Sequence, residues 1–165
     1  ETCWGTSKYL AEVKKFDGLC IASIQNEYSL MCRLFDNDFN ELSLNENVPL
    51  LAYSPLARGL LTGKYIGNKI PQGSRLSRDD KIRKIVNENS DLAVKAYFEL
   101  AKKYNIDPVH LALSFCKERP FMGSVIFGAT NIIQLRKILK GLDLKLSDEI
   151  KDEIQKLYKK FPLTF

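Results

Sequence analysis

Leu51-Ala-Tyr-Ser-Pro-Leu-Ala-Arg-Gly-Leu-Leu-Thr-Gly-Lys-Tyr65 is the stretch that decides how this chain is read. Residues 48–53 are apolar and β-compatible, and Ser54-Pro55 stops them, because proline has no amide proton to continue a ladder. A strand therefore delivers Tyr53 to a loop. Gly59 and Gly63 let backbone amides approach a ligand, while Arg58 and Lys64 add positive charge beside a flat aromatic ring. The loop has the parts of a phosphate holder. A plain turn behind a tyrosine that closes a core fits the same residues.

Composition bounds the rest. The chain has 165 residues, 45% hydrophobic and 27% charged, which describes one globular domain with a real core. No apolar run reaches the roughly 18 residues that a membrane span needs. The opening Glu1-Thr-Cys-Trp-Gly5 is neither a basic nor an apolar leader, and it begins without methionine near a helix start, as though cut from something longer. A net charge of +5 allows an acidic or phosphorylated ligand. Without aromatic and basic residues interleaved to stack bases, nucleic acid is not expected as a partner. Cys3, Cys20, Cys32 and Cys116 fall at irregular spacings with no C-x-x-C pair. Reduced, mostly buried thiols are expected, with no disulfide framework and no metal site.

Along the chain, Tyr9, Leu10, Val13 and Phe16 predict a helix over 6–16 that ends at Asp17-Gly18. A buried strand over 20–26 follows, ending in the polar Gln25 and Asn26. A short helix over 35–44, capped by Asp36 or Asn37, leads to the strand at 48–53. Alternation with short connections implies parallel strands joined by right-handed crossovers. Residues 66–89 are polar and too long for a plain connector, so they read as a lid or a disordered loop. Leu92, Ala96, Leu100 and Tyr104 predict a helix over 91–104, and Asp107-Pro108 starts another, with aspartate as cap and proline in the first turn. The strand 123–127 runs into a helix over 131–140, with Thr130 as cap and Ile132, Leu135 and Leu139 inward. Ser147-Asp-Glu opens a terminal helix whose inner face is Ile150, Ile154, Leu157 and Phe161.

Gly128-Ala-Thr130 is a second candidate site, because a strand ending in glycine before a capped helix presents amides and a positive dipole end to an anion. His110, the single histidine, falls by spacing on the outer side of its helix. No paired carboxylates, serine–base arrangement or metal cluster can be assembled from what remains.

Three stretches taken in order, Gln25-Asn-Glu-Tyr-Ser29, Leu51-Ala-Tyr-Ser-Pro-Leu56 through Thr62-Gly-Lys64, and Val125-Ile-Phe-Gly-Ala-Thr130 with Gln134-Leu135, resemble successive strand-end motifs of the aldo-keto reductases. Within that family the likeness is to the Tas-type reductases and the potassium channel β-subunits. It covers essentially the whole chain, and Glu1-Thr2 with Trp4-Gly5 resembles the residues just after the family's Gly-Val-Ser-Asn strand end. The fold it implies is α/β: the C-terminal half of a (β/α)8 TIM barrel with an extra C-terminal helix. A whole barrel takes about 250 residues, so residues 1–165 would be a single partial domain whose strands at 20–26, 48–53 and 123–127 are the sixth to eighth.

The family's catalytic aspartate, tyrosine, lysine and histidine lie on the first four strands, so the resemblance implies no catalytic residue in this chain and no activity for it alone. What it implies instead is the NADPH/NADP+ site. Gln25 would hold the nicotinamide carboxamide and Tyr53 would stack on the ring. Ser54, Pro55, Leu56, Ala57, Arg58 and Gly59 would wrap the pyrophosphate, with Lys64 adding charge and Arg75 forming part of a clasp. Gly128, Thr130 and Gln134 would take the adenosine end. Where the family offers glutamate and asparagine to the adenine, this chain has Lys137 and Ile138. The implied function is NADPH-dependent reduction of an aldehyde or ketone, with a nucleotide-sensing regulatory subunit like the channel β-subunits as the alternative. Tyr53 favours the reductase, since the channel subunits tend to carry tryptophan there. A small carbonyl substrate, the N-terminal half of the barrel and copies of the chain itself are the partners expected, in a cytoplasmic setting.

Overall fold

Pro49 sets where the sheet begins. Its carbonyl accepts from Ile24 N–H at 2.9 Å, but it has no N–H of its own to extend the ladder backwards. In the computed structural model, which describes residues 1–67, 69–80, 86–162 and 164, β1 is therefore Ile24–Glu27 and β2 is Leu50–Tyr53, each starting later than the apolar runs at 20–26 and 48–53. They pair in parallel, Ile24 opposite Leu50 and Glu27 opposite Tyr53. The third strand, β3 (Met122–Val125), pairs in parallel with β2 in the order β1-β2-β3. Leu50 faces Met122 and Leu51 faces Ser124, so Gly123 falls at an irregularity. A Cβ on Gly123 would sit 2.8 Å from the Pro49 ring, which explains glycine there.

Side chains alternate across these strands. Ile24, Leu50 and Ala52 are buried under helices, while Gln25, Tyr53 and Ser124, on the opposite face, are exposed. The chain is thus an α/β fold whose helices cover one face of a parallel sheet.

Of the helices, α1 (Cys3–Val13) begins where Thr2 Oγ1 accepts from Gly5 N–H at 3.0 Å, three residues earlier than the apolar spacing predicts. Leu10 alone of the predicted stripe is buried; Tyr9 and Phe16 are exposed. A 3-10 turn, Leu34–Asp36, precedes α2 (Phe39–Asn45), which Asp38 caps. Neither Asp36 nor Asn37 does so, because the Asp36 carboxylate is taken by Tyr28, Arg33 and Arg119. After β2 come a 3-10 segment (Ala57–Thr62) and the short α3 (Arg75–Arg78). Residues 68 and 81–85 of the long polar segment lie outside the described residues.

The longest helix, α4 (Glu88–Lys103), starts at a capping box between Asn87 and Ser90. Its buried face is Ala93, Val94, Tyr97, Leu100 and Ala101, and Leu92 is exposed. A strict four-residue spacing advances about 40° per step around a 3.6-residue helix, so the predicted row winds off the inner face. In α5 (Pro108–Lys117) Asp107 caps Val109 N–H at 2.9 Å and Pro108 occupies the first turn, as predicted. The helix α6 (Ile132–Lys140) corrects the expected inward face: Ile138 is buried, whereas Ile132 and Leu139 are 57% and 46% exposed. The terminal helix α7 (Asp148–Lys160), capped by Ser147, buries Ile150 and Ile154, with Phe161 just beyond it.

At the centre an aromatic cluster meets an ionic one. Tyr28 stacks on Phe115 at 5.8 Å and meets Phe121 edge-on at 5.4 Å. Its hydroxyl donates to Asp36 Oδ1 at 2.8 Å, and burial, followed by that carboxylate, holds the phenol protonated far above its ordinary range. Arg33 binds Asp36 Oδ2 at 2.7 Å, reaches Gln155 of α7 at 3.1 Å and lies over the Tyr158 ring. The loop after β1 is thereby tied to the terminal helix. All four cysteines are free, but Cys20 is exposed and Cys116 alone fully buried, against the expectation of mostly buried thiols. Among the described residues no group of His, Cys, Asp and Glu could hold a metal ion, and no helix is long and apolar enough to cross a membrane.

Candidate functional site at the rim of the sheet

Because the strands are parallel, their C-terminal ends share one rim, and the segments singled out in the sequence leave from it. Gln25 on β1 and Tyr53 on β2 lie on the same uncovered face, two register positions apart, since Gln25 pairs with Leu51 and Tyr53 with Glu27. Tyr53 is 40% exposed and presents a ring that the core does not use. The structure does not close it into the interior as a plain core tyrosine.

Immediately after Tyr53 the backbone turns in an unusual way. Ser54, Ala57 and Arg58 have φ of 56°, 47° and 56°, and Gly59 has 95°. A non-glycine residue in the left-handed region costs about 1 kcal/mol or more and persists only where its surroundings over-determine it. Here Ala57 N–H donates to Ser54 O at 2.8 Å and Gly59 N–H to Leu56 O at 2.9 Å, while Pro55 and Ala57 are buried. With the Ala57 and Gly59 amides spent on closing it, the turn is held tight at the end of the strand.

The two glycines of the loop differ. A Cβ on Gly59 would press at 3.1 Å on Lys64 Cε and Nζ, so the lysine lies folded over the turn. Gly63 is left-handed at 77°, and a Cβ there would fall 2.6 Å from the Phe98 ring. Gly63 therefore serves packing against α4 rather than close approach to a ligand. Arg58 donates to Glu27 Oε2 at 2.9 Å, so its charge is already engaged. Burial raises the Glu27 carboxyl above its usual range, with Arg58 and then Arg75 pulling it back. Arg75 lies exposed in α3.

At the β3 end, Gly128, Ala129 and Thr130 are exposed, and a Cβ on Gly128 would meet nothing within 4 Å. The cap of α6 is Asn131, which accepts from Gln134 N–H at 2.9 Å; Thr130, predicted to be the cap, instead donates through N–H and Oγ1 to Gln134 Oε1 at 3.0 and 3.1 Å. Asn131 wins because its side chain reaches the third amide of the helix while Thr130 lies one residue outside it. Lys137 pairs with Asp107 Oδ2 at 2.8 Å, and Ile138 is buried with Val109 and Leu113. His110 is half-buried and engaged: its Nε2 meets Lys137 O at 2.6 Å, and a side chain at Gly141 would collide with its ring. It packs the seam between α5 and α6.

Two surface recesses, of about 420 and 470 Å3, lie behind the loop against α4, one lined by Gly63, Lys64 and Phe98 and the other by Leu60, Tyr65 and Val94. Neither contains Gln25, Tyr53 or the β3 turn, so the rim and not the recesses gathers the candidate residues. The sequence reading missed Glu27. Its signal was the two-residue period that sets it on the same face as Gln25.

With this geometry in hand, comparison with known proteins is decisive: the family model described as "Aldo/keto reductase family" matches residues 3–159. The chain belongs to the aldo/keto reductase family. Its relatives in that family include "Protein tas" of Escherichia coli (strain K12), 38% identical over 158 residues, which cover 96% of this chain and 46% of that protein. An "Aldo-keto reductase" of Babesia bovis is 33% identical, over 98% of this chain and 59% of its own length. A "Probable voltage-gated potassium channel subunit beta" of Oryza sativa subsp. japonica is 29% identical, over 96% of this chain and 53% of its own. The chain spans about half the length of the curated relatives it matches.

Proposed function

We propose that this chain is the nucleotide-holding half of an NADPH-dependent aldo/keto reductase that reduces an aldehyde or ketone in the intact protein. It would supply the last strands of a (β/α)8 barrel, the other half covering the face that carries Gln25, Tyr53 and Ser124. The observation that carries the reading is the parallel order β1-β2-β3, which sets three groups of residues in a row along one rim. A dinucleotide has three parts in the same sequence: nicotinamide, pyrophosphate and adenosine.

The residues fit such a group. Tyr53 offers an uncovered ring beside the Gln25 amide, which can both donate to and accept from a carboxamide. The left-handed turn from Ser54 through Pro55, Leu56, Ala57 and Arg58 to Gly59, with Lys64 folded over it, brings a tight backbone and one charge to where a pyrophosphate would lie. Open space at Gly128, beside Thr130 and Gln134, whose mutual hydrogen bonds would be exchanged for ones to the ligand, suits the adenosine phosphate. When bound, NADPH would supply the hydride. The chain's own part is to bind, to fix which face of the ring is presented and to keep water from it; the proton for the carbonyl oxygen is assigned to residues outside this chain. Tyr28 is not a candidate donor, as its hydroxyl is buried on Asp36.

Cofactor choice tests the assignment. In the intact protein NADPH should bind more tightly than NADH, and Arg75→Ala should weaken NADPH about tenfold more than NADH, the worth of one charge-assisted phosphate contact. Fluorescence titration with both nucleotides reads this directly. Equal loss from the two would move Arg75 to the shared pyrophosphate, and equal affinities in the unaltered protein would sink the preference for NADPH.

A further inference from the structure

Glu27 ends β1 directly opposite Tyr53, on the face shared with Gln25. Its Oε2 lies 2.9 Å from the Arg58 guanidinium, with the two side chains 16% and 23% exposed. The hydrogen bonds that close the Ser54–Gly59 turn from within do not fix it against the neighbouring strand. The Glu27–Arg58 pair does, across 31 residues of sequence. The other carboxylate oxygen, Oε1, is buried with no hydrogen-bond partner among the described residues.

We propose that Glu27 is a positioning residue: its carboxylate clamps Arg58 and so presets the turn after β2 in the form that receives a pyrophosphate. The inference rests on the nucleotide site proposed above. Arg58 then acts through Glu27 and its own backbone rather than as a phosphate-binding charge. Removing the clamp leaves the ring platform intact but makes binding bear the ordering of the loop, so affinity falls while the chemical step does not.

The test is a double-mutant cycle in the intact protein with NADPH as probe. Glu27→Gln, close in size but uncharged, should raise the Kd about tenfold, with hydride transfer at saturating NADPH within about twofold and little change in melting temperature. Arg58→Gln should raise the Kd to the same extent, and the double variant should be no worse than the poorer single one, because both remove one interaction. Should Glu27→Gln fail to fold, Glu27→Asp keeps the charge but falls a methylene short, and should raise the Kd in the same way. Unchanged affinity in the folded Glu27 variant, strictly additive losses, or equal losses in affinity and hydride rate would overturn the proposal. Failure of the unaltered protein to bind NADPH would instead contradict the nucleotide site itself.

Discussion

Replacing Asp36 by alanine is expected to destabilise the protein by about 3 kcal/mol or more, the usual cost of removing one partner from a buried ionic cluster. Asp36 holds the Tyr28 hydroxyl at 2.8 Å, Arg33 at 2.7 Å and Arg119 at 3.1 Å, and its own side chain is 14% exposed. Arg33, only 6% exposed, would be left as a buried cation with Gln155 and two aromatic faces for company. Tyr28 would lose the acceptor that fixes its ring between Phe115 and Phe121. Urea denaturation measures the difference. A change below about 1 kcal/mol would mean that the cluster is solvated in solution and contributes as little as a surface pair.

A second large effect is expected at the ring platform. Tyr53→Ala in the intact protein should weaken NADPH binding by about 2 kcal/mol, roughly thirtyfold, since stacking of a base on an aromatic side chain is worth about 1–3 kcal/mol by alanine substitution. Hydride transfer should also slow, because the ring would no longer be held against one surface. Stability should hardly move, as Tyr53 is 40% exposed and the fold does not pack on it. Titration and stopped-flow measurements together check this. Unchanged affinity and rate would make Tyr53 a residue of the sheet and nothing more.

How much of this was legible in the sequence depends on whether a signal is local. The strand leading to Tyr53, the stop at Ser54-Pro55 and the Asp107-Pro108 start of α5 were readable, because proline and capping aspartate act on their own neighbours. The start of β1 was not, since it is set by Pro49 on the partner strand, 25 residues away. The inner face of α4 was misplaced because an apolar row at every fourth residue winds around a helix, and only packing shows that Ala93 and Tyr97, not Leu92, face inward. For His110, spacing alone predicted an outer face; α6 then covers it.

The same division holds at the site. Gln25, Tyr53 and the glycines could be picked out as residue types suited to a ligand. Arg58 read as phosphate-binding charge, and nothing local revealed that Glu27 claims it. Lys137, which stands where the resemblance led us to look for an adenine contact, is likewise held by Asp107 from a different helix. Charges in a sequence are legible as charges, but their partners depend on the fold.

The most direct test of the central claim, that the rim of the sheet is a nucleotide site, is amide hydrogen exchange of the intact protein with and without saturating NADPH. Protection should concentrate at residues 53–64 and 128–134, the turn after β2 and the turn after β3, with α7 unaffected. Protection confined to the recesses against α4, or no protection at either turn despite saturated binding, would contradict the account.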